Sequence, residues 1–295
     1  MLVYCFLILL TFISESVVSK SNEKIIDLNL LRMNGDEFYE DKKGYTGILI
    51  NENYSPKRAI KMAIKENKYN LKILGVSLNL NEFYLNNNFD INDFPKDSIF
   101  ILDLPDSKIK EILTYFPDNL ILINTRSSNN IFRTRKCKSN LFHTIPSNKM
   151  YTDAIAQYLV EKNWKKVLVI YGPEKKDDEK HKSFLLSSKK YNIDIIESRQ
   201  FTLSKNPEDR RKNNYSLISK GNNFDSIVIF DNFGEYSRKL PFNTTNPNLV
   251  LGDAGLVPKA WHWSWERNGG PQLNKRFKKE YLKWSPAVRG RVIET

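Results

Sequence analysis

Cys137, His143 and Ser147 lie within one short stretch, CKSNLFHTIPSNKMYTDAIAQYLVEKNWKKVLVIYG, residues 137–172. A thiol, an imidazole and a hydroxyl are the parts of nucleophilic catalysis, provided that nucleophile and base come within hydrogen-bond reach. Their spacing argues otherwise. Cys137 and His143 are six residues apart on an extended segment, which puts them on one face of a strand but roughly 20 Å from each other. Ser147 follows Pro146 and precedes Tyr151, Ala154, Ile155, Tyr158 and Leu159. These form an i, i+3, i+4, i+7, i+8 stripe, so the Ser147 hydroxyl suits a helix N-cap. His143 reads as a hydrogen-bonding residue at a chain crossing.

Other catalytic signatures are missing from the sequence. It contains no G-x-S-x-G elbow, no Walker A loop and no G-x-G-x-x-G fingerprint. The histidines are His143, His181 and His262, without the Cys or carboxylate spacing of a metal site. Asp177, Asp178 and Glu179 offer the oxygen ligands that calcium takes. Lys175, Lys176 and Lys180 surround them, so a solvated loop and helix start is expected there. No catalytic residue, metal or cofactor is assigned, and the chain reads as a non-enzyme.

The elements around these residues point to binding. Short apolar, β-branched runs alternate with helical patterns along the chain, the mark of βα units on parallel sheets. Strands are expected at Ile25–Leu30, Leu71–Val76, Ile99–Leu104, Leu120–Asn124, Val167–Tyr171, Ile193–Ile196, Ile227–Asp231 and Leu249–Leu251. Helices are expected at Pro56–Lys68, Asp106–Phe116, Asn148–Asn163, Asp178–Lys190 and Glu208–Lys220. The continuous hydrophobicity of the strands implies cover on both faces. The expected fold class is α/β, with two Rossmann-like lobes of parallel sheet at residues 21–145 and 146–283. Leu141–Ile145 would cross between them as an extended strand, with His143, Pro146 and Ser147 as the hinge.

Ligands of open parallel sheets bind outside the carboxyl ends of the strands. The loops expected there are NTRSSNN (124–130), Tyr171-Gly172, DNFGEY (231–236) and GDAGL (252–256). Tyr171, Asp231, Tyr236 and Asp253 supply hydroxyls, carboxylates and rings suited to a small polar solute. In WHWSW (261–265), Trp261 and Trp265 share a helical face. Core packing is the expectation for Trp265, whereas Trp261 suits core packing or stacking on a ligand equally.

With 295 residues the chain has room for two domains. LVYCFLILLTFI (residues 2–13) has the length of a signal-peptide h-region and is too short to span a bilayer. Residues 1–20 are therefore expected to be an export signal, although the usual basic n-region is missing and a buried N-terminal helix is the alternative. Cys137 would then stand alone, leaving no internal disulfide. The net charge is +12, spread through the chain except at its end. From Lys259 onward, nine basic residues face three acidic ones, half of the net charge. That stretch suits a solvated helix face or a docking surface, and with no base-reading motif nucleic acid is not expected as a partner.

Two long stretches carry a family likeness. Residues 137–172, and FGEYSRKLPFNTTNPNLVLGDAGLVPKAWHWSWERNGGPQLNKRF (233–277), resemble ABC-transporter substrate-binding proteins associated with pyrroloquinoline-quinone-dependent (PQQ-dependent) alcohol dehydrogenase systems. These are a branch of the type I periplasmic binding proteins, similar to branched-chain amino-acid binders. The resemblance covers the chain well from about Leu120 onward and more weakly before it. It implies two lobes that close on a solute in the periplasm and present it to an inner-membrane ABC permease. It also implies that Asn124, Ser127 and Ser128 hold the first-lobe side of the ligand. A PQQ-dependent dehydrogenase or cytochrome is a further implied partner, and a non-transport accessory protein docking on one is the alternative function. Residues 284–295 read as the start of a helix returning to the first lobe, with Ser285 as N-cap and Pro286 at N1. Relatives continue further, so a C-terminal truncation is expected.

Overall fold

The apolar runs of the sequence assemble into two parallel sheets. The computed structural model describes residues 23–40, 42–45, 49–50, 55–85, 98–204, 206–259, 262 and 264–281. The expected signal segment, residues 284–295 and Trp261 lie outside them. The first sheet contains β1 (Lys24–Met33), β4 (Val76–Leu85), β5 (Ile99–Leu102), β6 (Ile121–Asn124) and β7 (Leu141–His143), in the order β4-β1-β5-β6-β7. A short hairpin of β2 (Lys42–Lys43) and β3 (Leu49–Ile50) follows β1. Helices α1 (Lys57–Glu66), α2 (Lys68–Ile73) and α3 (Asp106–Tyr115) belong to this lobe.

The second sheet contains β8 (Lys166–Tyr171), β9 (Asp194–Gln200), β10 (Ser226–Phe230) and β11 (Leu249–Gly252), in the order β11-β10-β8-β9. Helices α4 (Asn148–Glu161) and α5 (Lys175–Tyr191) pack together on this lobe, and α6 (Gly270–Tyr281) follows β11. Alternation explains the double cover. Leu168, Ile170, Ile227 and Ile229 join one buried layer with Phe201, Ile218 and Tyr236. Val167, Val169, Val228 and Phe230 join the other, with Ile155, Leu159 and Phe184 from α4 and α5. Such strands need apolar residues at every position, which is why VLVIY and SIVIF were legible.

Several expectations need correction. Leu71–Val76 is not a strand: residues 71–73 end α2, Gly75 adopts φ +66°, and the strand begins at Val76. The run LKIL suits a helix end as well as a strand, and the positive φ of Gly75 is the left-handed stop that favours glycine. Glu208–Lys220 is not one helix but two four-residue turns, Arg210–Asn213 and Tyr215–Ile218. Asn214 breaks it by turning its side chain to accept the Leu217 N–H at 3.0 Å. Leu141–His143 pairs with β6 as the edge of the first sheet, so only the residues after it make the crossing. Cys137 is exposed in a turn, not on a strand. Trp265 is 48% exposed and is not a core residue.

Candidate functional site

The carboxyl ends of both sheets meet at the crossing. In the first lobe, the chain leaving β1 folds over Asp36, whose side chain caps the turn Glu37–Tyr39 by accepting the Phe38 N–H at 3.1 Å. Arg126, from the loop after β6, forms a two-pronged ion pair with Asp36 and lays its guanidinium 3.9 Å from the Phe38 ring centre. Burial opposes ionisation of Asp36, but the bonds from Arg126 and the Phe38 N–H hold its carboxyl below the usual range. Behind this pair, the Tyr39 hydroxyl donates to Asp103 at 2.5 Å, and Arg32 lies 5.0 Å from the Tyr39 ring centre. Desolvation raises the pKa of both Asp103 and Tyr39.

Asn124 positions Arg126. Its carbonyl oxygen accepts the N–H groups of Arg126 and Ser127 at 3.1 and 2.9 Å, and its amide donates to Ser127 O and His143 Nδ1 at 2.7 and 2.9 Å. Asn124 is fully buried and Ser127 nearly so, with the Ser127 hydroxyl donating to Asp106 at 2.5 Å. Ser128 hydrogen-bonds to Asn148 at the start of α4, through its hydroxyl at 3.0 Å and its carbonyl at 2.8 Å. Of the three positions implied by resemblance, two therefore shape the loop from within and the third ties it to the other lobe.

In the second lobe, carboxylates gather behind α5. Asp177 is fully buried, contrary to the expected solvated run. It accepts the Asn232 N–H at 2.6 Å and the Glu174 N–H at 3.2 Å, closing a capping box with Glu174. Desolvation lifts its pKa to about 7, and nearby Asp231 and Asp253 add to the lift against the pull of the Asn232 N–H. Gly172 makes room for it, since a Cβ there would stand 2.2 Å from the Asp177 carboxylate. Asp231 accepts Gly234 and Ser237 N–H at 2.9 and 2.7 Å. Asp253 binds Lys180 at 2.7 Å and accepts the Tyr151 hydroxyl at 3.0 Å.

Tyr171 stacks on His181 at 4.2 Å, and Tyr236 is fully buried against Phe201 at 4.1 Å. The structure thus brings Tyr171, Asp231 and Asp253 to one end of the second sheet and places Tyr236 in the core beneath them.

Contacts between lobes are polar. At the expected hinge, Ser147 caps α4 by accepting the Met150 N–H at 3.2 Å, and Arg133 donates to Ile145 O at 2.5 Å. Asn130 accepts the Lys149 N–H at 2.8 Å and donates to Ser183 at 2.9 Å. Tyr45 reaches across from the first lobe, its N–H donating to Glu235 and its hydroxyl to Ser204 O, at 2.5 and 2.8 Å. Lys176, on the first turn of α5, places its ammonium 5.4 Å from the Phe38 ring centre. It keeps solvent contact, yet desolvation and then the nearby Arg126 charge lower its pKa. Phe38, Arg126 and Lys176 are not among the residues expected from the sequence; Arg126 lies inside NTRSSNN, between neutral polar residues that suit a solute equally well. Among the described residues no cluster of His, Cys, Asp and Glu could hold a metal ion, and no helix is long and apolar enough to cross a membrane.

This geometry is that of a type I periplasmic binding protein fold. Residues 95–240 match a family model described as the receptor family ligand binding region. Among solved structures, a branched-chain amino-acid ABC transporter periplasmic ligand-binding protein from Burkholderia xenovorans is similar with a TM-score of 0.63 at 12% identity, over 89% of this chain and 74% of that one. An ABC transporter substrate-binding protein from Desulfitobacterium hafniense in complex with Leu gives 0.57 at 12% identity, over 88% and 78%. A solute-binding protein from R. palustris in complex with benzoate gives 0.58 at 12% identity, over 90% and 77%. No curated protein sequence matches the chain.

Proposed function

We propose that this chain is the solute-binding component of an ABC transporter, exported to the periplasm, where it captures a small polar solute between its lobes and hands it to an inner-membrane permease. The observation that carries the reading is the Phe38 ring. Arg126 of its own lobe and Lys176 of the other both approach it, so two cations from opposite lobes converge on one ring. Arg126 already has Asp36, whereas Lys176 has no ion pair among the described residues. A carboxylate entering beside Phe38 would bind Lys176 and draw α5 toward the first lobe, as a charge-assisted hydrogen bond is worth most where water is excluded. Leucine and benzoate, found in two proteins of like fold, both carry that group.

The hinge in this reading is Pro146 and Ser147, with His143 at the end of the edge strand that leads into it, and Trp261 is a candidate ring against the solute. The finer assignment, to a transport system serving PQQ-dependent alcohol oxidation, rests on the likeness of residues 137–172 and 233–277. No covalent chemistry is assigned to the protein. Thermal-shift and calorimetric titration with leucine, benzoate, short alcohols and PQQ test it. A carboxylate should raise the melting midpoint, and Lys176→Met should weaken its binding ten- to a hundredfold, about 1.5–3 kcal/mol, without lowering the midpoint of the free protein. If none of these solutes shifts the midpoint, or if Lys176→Met binds the carboxylate equally well, the reading fails.

A further inference from the structure

A second concavity lies beside the cleft, a cavity of about 600 Å³ walled by Tyr45 of the first lobe and by the loops after β9 and β10. Its volume suits a ligand of one or two sugar rings. Four asparagines line it, and each has one end of its amide occupied by its own loop. Asn206 and Asn214 accept backbone N–H groups of Glu208 and Leu217 at 3.1 and 3.0 Å, so their NH2 ends have no partner among the described residues. Asn213 and Asn243 donate to the carbonyls of Ser204 and Lys239 at 2.8 and 2.7 Å, so their oxygens are the ends left over. The Asn213 oxygen is buried without a hydrogen-bond partner. The amides of Asn206 and Asn214 thus offer two fixed donors and Asn243 one fixed acceptor along one space, while the Asn213 oxygen is held inside the wall, with amide orientations set by the fold and not by the ligand.

Charge and shape narrow the occupant further. Glu235 and Lys239 contribute one charge of each sign, so the wall favours neither an anion nor a cation overall. Glu235 is 5% exposed, and Gly44 is pressed against it, since a Cβ there would stand 2.6 Å from its carboxylate. The Tyr45 and Tyr215 rings add flat apolar faces, and Tyr215 is itself braced against Tyr236 at 4.4 Å. A hydroxyl both donates and accepts, whereas a carboxylate only accepts and an ammonium only donates. Mixed donors and acceptors beside aromatic faces therefore match vicinal hydroxyls on a ring whose C–H edges lie on a tyrosine.

We propose that this cavity is a second binding site, for a neutral polyhydroxylated ligand the size of a mono- or disaccharide. Because Tyr45 comes from the first lobe, an occupied cavity also holds that strap against the second lobe. The proposal does not depend on the carboxylate reading of the cleft.

Saturation-transfer NMR and calorimetry on the full chain test it, with glucose and trehalose as neutral probes and glucuronate and glucosamine as charged ones. Binding by at least one neutral sugar is expected, with the two charged probes weaker by about tenfold or more. Asn206→Ala and Asn243→Ala should each weaken it at least tenfold while the thermal midpoint moves little, and Tyr215→Phe should retain most of it through the ring. Lys176→Met should leave sugar binding unchanged. Absence of binding by either neutral sugar at 10 mM, preference for a charged probe, or neutral-sugar binding that survives both asparagine variants would overturn the proposal. Loss of binding in Lys176→Met would place the sugar in the cleft and overturn it as well.

Discussion

In the first lobe, the polar groups at the carboxyl end of the sheet are held by one another: Arg126 by Asp36, Arg32 by Glu82, and both arginines by rings. In the second lobe, Asp177 and Asp231 are held by backbone N–H groups, in a setting continuous with the core. The first arrangement gains from ionisation, since opposite charges and hydrogen bonds outweigh burial and bring Glu82 down to about 2. The second suffers from it, because burial desolvates Asp177 and the nearby Asp231 and Asp253 add to the penalty, lifting it to about 7. The ion-paired carboxylates Asp36 and Glu82 of the first lobe are therefore held ionised, while Asp177 in the second responds to protons near neutrality.

The largest expected effect is an opposite pH dependence of the two lobes. Asp177 has a folded pKa raised above its unfolded value of 3.8, so the folded state binds the extra proton between about pH 4 and 7. Its contribution is greatest below that window and is lost as pH rises through it, by at most about 1.4 kcal/mol per pH unit. Glu82 has a lowered folded pKa, so its contribution is present above its unfolded value of 4.5 and is lost as pH falls toward about 2. Urea denaturation from pH 3 to 8 should show Asp177→Asn flattening the upper slope and Glu82→Gln flattening the lower one. An unchanged upper slope in Asp177→Asn would break the contrast.

Asp231→Ala should destabilise by about 2–4 kcal/mol, because the Gly234 and Ser237 N–H groups both lose their acceptor in a buried site. A loss under 1 kcal/mol in denaturant titration would mean that the loop re-forms its bonds elsewhere. Arg126→Met should cost about 2 kcal/mol, below the figure for a fully buried pair because Asp36 retains some contact with water. It should also weaken solute binding, which calorimetry reads separately from stability. Ser147→Ala removes the cap of α4 and should cost about 1 kcal/mol. At the small end, Arg276→Ala opens an exposed pair with Glu66 between α6 and α1 and should cost under about 1 kcal/mol.

How much was legible differs between the lobes for the same physical reason. Strands β8, β10 and β11 are buried on both faces and announce themselves as unbroken apolar runs. β4, at the sheet edge, carries Asn79 and Asn81 on a face where Asn79 bonds to Asp27 at 3.0 Å, so its alternation VSLNLN does not stand out as an apolar run. Asp231 and Asp253 are legible as residues at the carboxyl end of the second sheet because they follow buried strands directly. Tyr236 followed the same logic and instead lies under the site, since sequence order does not say which way a loop residue turns. Arg126 and Lys176 were hidden by a charge-rich composition in which a lysine near a loop is ordinarily solvated. Only the fold shows that Phe38, 138 residues before Lys176 in the chain, brings those two cations together.

In the proposed function the lobes close on a carboxylate between Phe38, Arg126 and Lys176. Spin labels at Lys110→Cys and Lys189→Cys, one on each lobe, with Cys5 and Cys137 replaced by serine, would measure the inter-lobe distance directly by double electron–electron resonance. Saturating the protein with the tightest-binding carboxylate from the thermal screen should shorten and narrow that distance distribution, and Lys176→Met should abolish the change. A distribution unaltered by a carboxylate that calorimetry shows to be bound would contradict closure.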